Sequence, residues 1–142
     1  MKSIPLGLLC ALFALAAGRA AAAQDIAVRM TFEGGEALMV LRDTPAGRDL
    51  RSLLPLTLDF EDYGGTEKIS YPPRALSTTG TPGGCTPSAG DVTLYAPWGN
   101  LAIFYRDFRY SPGLLPLGRV QSGMDKLAGM KGPFKARLEL AR

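Results

Sequence analysis

Residues 90–108 read Gly-Asp-Val-Thr-Leu-Tyr-Ala-Pro-Trp-Gly-Asn-Leu-Ala-Ile-Phe-Tyr-Arg-Asp-Phe, and this stretch limits the possible folds most sharply. Its two runs, Val92–Ala96 and Leu101–Arg106, are rich in Val, Ile, Leu, Tyr and Phe, side chains that suit a pleated, half-buried surface. Between them, Pro97 presets φ for a β-turn, and Gly99 can take the positive φ that closes a hairpin. The stretch predicts an antiparallel hairpin with Trp98 at its tip.

The rest of the chain repeats this theme. Ile26, Val28, Met30 and Phe32 alternate with Ala27, Arg29, Thr31 and Glu33, the period of a strand with one buried face. Gly34-Gly35 suits a primed turn, and Ala37–Arg42 reads as the returning strand. Thr44 can cap a helix of about two turns that has Pro45 first and Leu50, Leu53 and Leu54 on one face. Leu56–Phe60 and Glu67–Tyr71 read as strands on either side of a turn over residues 61–65. Residues 77–89 have no periodicity and predict a long surface loop. Tyr110–Gly113 reads as a turn and Leu117–Gln121 as a strand. A short helix capped by Ser122 follows, and alternation at Phe134, Ala136, Leu138 and Leu140 closes the domain. Many short strands with Gly/Pro turns predict an all-β barrel or sandwich with two short helices.

The first 23 residues stand apart. Lys2, an apolar run from Ile4 to Ala17 and Ala21-Ala22-Ala23 make a secretory signal peptide, which places the mature domain at residues 24–142 in the periplasm or outside the cell. The apolar run is too short to span a bilayer, so no membrane span is expected. Without Lys2 and Arg19, 14 basic side chains face 13 acidic ones. There is no clustered positive stripe of the kind nucleic acid requires. The chain has no histidine, which removes the usual general base near neutral pH and the commonest transition-metal ligand. Asp59, Glu61 and Asp62 lack calcium-loop spacing and read as a solvated turn, so no metal and no cofactor is expected. Cys85, the one cysteine after the leader, reads as passive and partly buried.

Gly118-Arg119-Val120-Gln121-Ser122-Gly123-Met124-Asp125 resembles the cyclophilin segment Phe-Gly-x-Val-x-x-Gly-Met-Asp. Thr44-Pro45 through Leu53 is similar to that family's first helix, and Gly90–Ala96 to its Gly-x-Leu-Ser-Met-Ala strand. Tyr95–Tyr105 resembles, more closely, the small bacterial cyclophilin-like proteins, a family defined by fold and without an assigned activity. The resemblance implies a closed eight-stranded barrel with a helix at each end. The cyclophilin catalytic strand reads Phe-His-Arg-x-x-Pro; the corresponding stretch here, Glu67–Pro73, contains no arginine, and Arg74 follows the prolines.

The expectation for function is a non-catalytic module that binds a small molecule or a peptide segment in a cleft beside the hairpin. Tyr71, Tyr95, Trp98 and Phe104 are its expected apolar walls, and Lys68 and Arg106 its polar anchors. Glu67 and Lys68 are adjacent and face opposite sides of a strand, and an exposed edge strand would leave both solvated. Arg106, Asp107 and Arg109 read as a solvated strand end. The alternatives are a peptidyl-prolyl isomerase with a displaced arginine, Arg74 being the candidate, and a structural partner of another envelope protein.

Overall fold

The computed structural model describes residues 24–81 and 83–142; the leader read at residues 1–23 lies outside them. In chain order the elements are β1 (Ile26–Phe32), β2 (Gly35–Leu41), α1 (Pro45–Ser52), β3 (Leu56–Tyr63), β4 (Glu67–Ser70), β5 (Gly84–Cys85), β6 (Asp91–Tyr95), β7 (Asn100–Phe104), β8 (Ser111–Pro112), β9 (Leu114–Ser122), α2 (Met124–Ala128) and β10 (Phe134–Leu140). Eight strands close an antiparallel barrel in the order β1-β10-β3-β4-β7-β6-β9-β2, and β5 pairs with β8 outside it. Closure leaves the barrel without a free edge for another chain to extend. No helix among the described residues is long and apolar enough to cross a membrane.

Period-two alternation fills the interior. Val28, Met30 and Phe32 meet Met39, Leu58, Phe60, Leu94, Leu117, Ala136 and Leu138 in one core cluster. The helices stopper the two ends. Thr44 Oγ1 accepts from the Gly47 amide at 3.1 Å, and Pro45 opens α1 as the sequence predicts; Leu50 is fully buried against the core. The other end is closed by α2, through Leu127.

The start of α2 differs from expectation. Ser122 is the last residue of β9, and Gly123 (φ 82°) makes the switch from strand to helix without a side-chain cap. That φ excludes side chains sterically, and a Cβ there would also run into the Glu36 carbonyl.

Three further expectations are corrected. Residues 61–63 belong to β3 rather than to a turn, and the turn covers Gly64, Gly65 and Thr66. The loop over residues 77–89 contains β5, whose Gly84 and Cys85 pair with Pro112 and Ser111. And β4 is no edge strand: it lies between β3 and β7, pairing Lys68 with Asp62 and with Ile103.

Candidate functional site

A second, smaller apolar cluster lies on the outer face of the barrel. Strand alternation sends Leu101 and Ile103 inward, and Ala102 and Phe104 outward. Phe104 packs there with Ile69, Leu114, Cys85, Tyr95 and Phe108. The chain after β7 folds back to cover this face: the Phe108 amide donates to the Pro87 carbonyl at 3.0 Å, and the Gly113 amide to the Gly83 carbonyl at 2.7 Å. The hairpin tip is fixed in the same way. The Gly99 amide (φ 74°) donates to the Tyr95 carbonyl at 2.8 Å, and the Ala96 amide reaches the Gly113 carbonyl at 2.8 Å.

These segments enclose an outer-face cleft of about 370 Å³. That lies within the ~300–1,000 Å³ usual for small-molecule sites. One wall is the β3–β4 turn with Tyr63, Thr66 and Glu67; the hairpin supplies Tyr95, Trp98, Asn100 and Phe104. The returning segment contributes Phe108, Arg109 and Tyr110. Trp98 folds back over this face and stands nearly perpendicular to two tyrosines. Its ring centroid lies 5.5 Å from Tyr63 at 85° and 5.3 Å from Tyr95 at 80°. Tyr63, Trp98 and Tyr110 remain about half exposed, so the cleft mouth is ringed with accessible aromatic surface.

Two polar residues of the cleft lining are underused. Asn100 is 1% exposed; its Nδ2 donates to the Leu101 carbonyl at 3.1 Å, but its Oδ1 has no donor. Buried acceptors without partners are uncommon in folded proteins. The second group is Glu67. Burial pushes its carboxyl above the ordinary range, a hydrogen bond from Thr66 Oγ1 (3.2 Å) works against this, and Asp62 adds to the rise. No cationic side chain pairs with Glu67 among the described residues. Arg109, the cation of the lining, has its guanidinium 4.5 Å from the Phe108 ring centroid.

Of the six residues singled out from sequence, Tyr95, Trp98 and Phe104 come together here. The other three do not. Tyr71 follows β4 and is exposed away from the cleft. Arg106 lies beside the Tyr105 ring, 5.9 Å from its centroid. Lys68, 2% exposed, points into the barrel with its register partner Ile103, because its neighbour Glu67 takes the outward position. Its Nζ donates to the Met130 carbonyl at 2.7 Å and to Asp62 Oδ1 at 3.2 Å. Tyr105 donates to the same oxygen at 2.6 Å. That hydrogen bond, with help from Lys68, holds the Asp62 carboxyl below its usual range. Burial, then the bond to Asp62, pushes the Tyr105 phenol up to about 12. This rim cluster belongs to the barrel end, not to the cleft.

Sequence reasoning missed Asn100 and Arg109 as cleft residues. A lone Asn after a Pro-Trp-Gly turn reads as a turn former. Its signal was its place at the outward end of an otherwise apolar strand, Asn-Leu-Ala-Ile-Phe.

Comparison of the sequence with known families agrees with the closed barrel. The model of the cyclophilin-like family matches residues 30–139. The chain belongs to the cyclophilin-like family. Among solved structures, it is similar to the solution structure of the hypothetical protein AF2241 from Archaeoglobus fulgidus. The TM-score is 0.67 with 19% identity, covering 82% of this chain and 95% of that one. At that identity the likeness concerns the fold alone. No curated protein matches the sequence. Within this cyclophilin-like frame, Arg74 is far from serving the cleft. Its guanidinium forks onto Asp49 of α1 at 2.7 and 2.9 Å, and it holds that carboxyl below its ordinary range.

Proposed function

We propose that this cyclophilin-like protein is exported from a bacterial cell and acts there as a non-catalytic binding module. It takes a small molecule or a short peptide segment in the outer-face cleft. The observation that carries this reading is the undonated Oδ1 of Asn100, a buried residue that lines the cleft with Tyr95, Trp98 and Phe104. A purely structural hollow gains nothing from a buried acceptor left without a partner, whereas a ligand that donates to it removes that cost. Export is supported by the basic start, apolar run and Ala-rich site of residues 1–23.

A screen of a few hundred small polar and aromatic fragments, read by amide and indole shifts in ¹⁵N NMR, tests the binding reading. Hits that move the Trp98 indole together with the Asn100 and Glu67 amides are expected. A complete absence of hits at these residues would overturn it. Expression with the leader in a bacterial host, followed by mass measurement of the periplasmic product, tests export: the expected chain begins near Gln24.

The isomerase alternative needs a hydrogen-bond donor aimed at a prolyl nitrogen, and Arg109 is the one guanidinium at the cleft among the described residues. A protease-coupled assay on proline peptides separates the two readings. The expected result is no rate above the uncatalysed one; turnover lost in Arg109→Ala would replace the binding reading with catalysis.

A further inference from the structure

Resting on the binding reading above, we infer that the occupant of the cleft is a neutral saccharide of one or two pyranose rings. It stacks on the aromatic rings at the mouth and turns its hydroxyl groups toward Glu67 and Arg109. Three features favour a sugar over a charged or a purely apolar ligand.

The first is the kind of apolar surface. Among the described residues five large apolar side chains are exposed, and three of them, Tyr63, Trp98 and Tyr110, line this cleft. Trp98 meets Tyr63 and Tyr95 edge to face, at 85° and 80°. In such a pair the ring that presents its edge keeps both faces free. A pyranose carries a flat patch of C–H groups whose partial positive charge suits the negative face of an aromatic ring. Around that patch lie hydroxyls, which suit the phenol and indole tips. An aliphatic ligand is matched by an aliphatic wall, and of that the lining has only Leu114 and Pro112.

The second is charge. The lining holds one carboxylate, Glu67, and one guanidinium, Arg109, and the two form no ion pair with each other. Both belong to the Phe104 end of the cleft. Glu67 is the register partner of Phe104, whose ring centroid lies 6.1 Å from that of Phe108; the Arg109 guanidinium lies 4.5 Å from the Phe108 centroid. A cation drawn to Glu67 therefore meets Arg109, and an anion drawn to Arg109 meets Glu67. A neutral ligand escapes both repulsions.

The third is hydrogen-bonding sense. A carboxylate only accepts and a guanidinium only donates, whereas a hydroxyl does both. A ring with several hydroxyls serves Glu67 with one and Arg109 with another, so no single group has to bridge them. A peptide amide also offers both senses. The sugar is set apart by its C–H face beside those hydroxyls, matched to exposed rings beside two unpaired charges. The volume of about 370 Å³ suits one or two rings rather than a long polymer.

The test uses the methyl glycosides of glucose, galactose and mannose, each with its uronic acid and its 2-amino analogue, and cyclohexanol as a ring without adjacent hydroxyls. Trp98 is the only tryptophan in the chain, so its fluorescence follows binding, and ¹⁵N NMR shifts locate it. At least one neutral glycoside is expected to bind, with shifts at the Trp98 indole and the Glu67 and Arg109 amides. It should bind at least fivefold more tightly than its charged analogues and than cyclohexanol. Trp98→Ala, followed by NMR, should weaken it at least tenfold. Glu67→Gln should raise the affinity of the uronic acid relative to the neutral glycoside at least threefold, and Arg109→Gln that of the amino sugar; a role in folding alone would move neither ratio. Charged sugars or cyclohexanol binding as tightly as the neutral glycosides, or shifts centred elsewhere, would overturn the inference. If peptides or hydroxyl-free fragments occupy the cleft and no glycoside does, the inference falls and the binding reading stands. If nothing occupies it, both fall.

Discussion

Removing the Asp62 carboxylate isolates the most consequential charge in the barrel. Lys68 is almost wholly buried, and its ammonium has two partners, the Met130 carbonyl and Asp62. Asp62→Ala leaves a cation in the barrel mouth with one neutral acceptor. Breaking a fully buried pair in this way costs about 3–5 kcal/mol. Asp62 is 38% exposed on its side chain, so water reaches one side of the gap and solvates part of the orphaned charge. The expected loss is therefore about 2–3 kcal/mol, which at about 4 °C per kcal/mol is a fall in Tm of roughly 10 °C for a domain of this size.

The companion variants decide the cause. Lys68→Met replaces the buried cation with an apolar chain of similar volume, and should change stability by no more than about 1 kcal/mol. Adding it to Asp62→Ala should restore most of the loss, leaving about 1 kcal/mol for the hydrogen bond from Tyr105. Urea unfolding followed by far-UV circular dichroism measures all four proteins. The pH dependence has a definite sign. The folded Asp62 value lies below the unfolded one, so its contribution is complete above an ordinary aspartate pKa of about 3.9 and fades as pH falls through the lowered value. The gap between wild type and Asp62→Ala should therefore narrow in acid. A loss below 1 kcal/mol in Asp62→Ala, or a double variant no better than the single, would refute the reasoning.

Glu67 works in the opposite direction. Its folded value is raised, so ionisation opposes folding at neutral pH; Glu67→Gln should raise the urea midpoint at pH 7. Thermal melts should show that gain disappear below about pH 4.3, where the wild-type carboxyl is protonated in both states. Tyr105 should titrate near pH 12 in an absorbance titration at 295 nm, and Asp62→Ala should bring it back toward the ordinary value of about 10. Gly123→Ala should cost about 2–4 kcal/mol in urea unfolding, from the left-handed φ and the clash with the Glu36 carbonyl together.

Why some of this could be read from the sequence, and some not, follows from the range of the interactions. The β1–β2 and β6–β7 hairpins are legible because alternation and turn chemistry lie within a few residues of each other. So are Tyr95, Trp98 and Phe104, aromatic residues around one tight turn. Strand β4 was legible as a strand, but its place inside the sheet between β3 and β7 was not. Glu67-Lys68-Ile69-Ser70 lacks an apolar alternation because Lys68 and Ser70 take interior positions beside Ile103 and Leu101. Lys68 is tolerable there only through Met130, 62 residues along the chain, and Ser70 through the Asp59 carbonyl. Such partners have no local signature. The β5–β8 ladder is two residues long on each side, shorter than any period can register. Asn100 carries no mark in the sequence that separates an unsatisfied amide from a satisfied one.

The same strand bears on the proposal that the cleft binds without catalysing prolyl rotation. Rotation about a prolyl bond starts from a barrier of about 18–20 kcal/mol set by the partial double bond. A protein lowers it by donating a hydrogen bond where the nitrogen regains its lone pair. In the cyclophilins that this chain resembles, the strand matching β4 carries an arginine for this purpose. Here the outward positions hold Glu67 and Ile69, while the strand's one cation is turned inward and fastened to the barrel rim. Arg74, the next cation along, is fastened to α1. Strand β4 thus turns an acceptor, Glu67, and no donor side chain toward the cleft, and Arg109 is the guanidinium among the described lining residues. An acceptor cannot support the nitrogen lone pair of a twisting imide. On the binding reading proposed above, β4 therefore brings no isomerase donor to the cleft, and turnover there would have to come from Arg109.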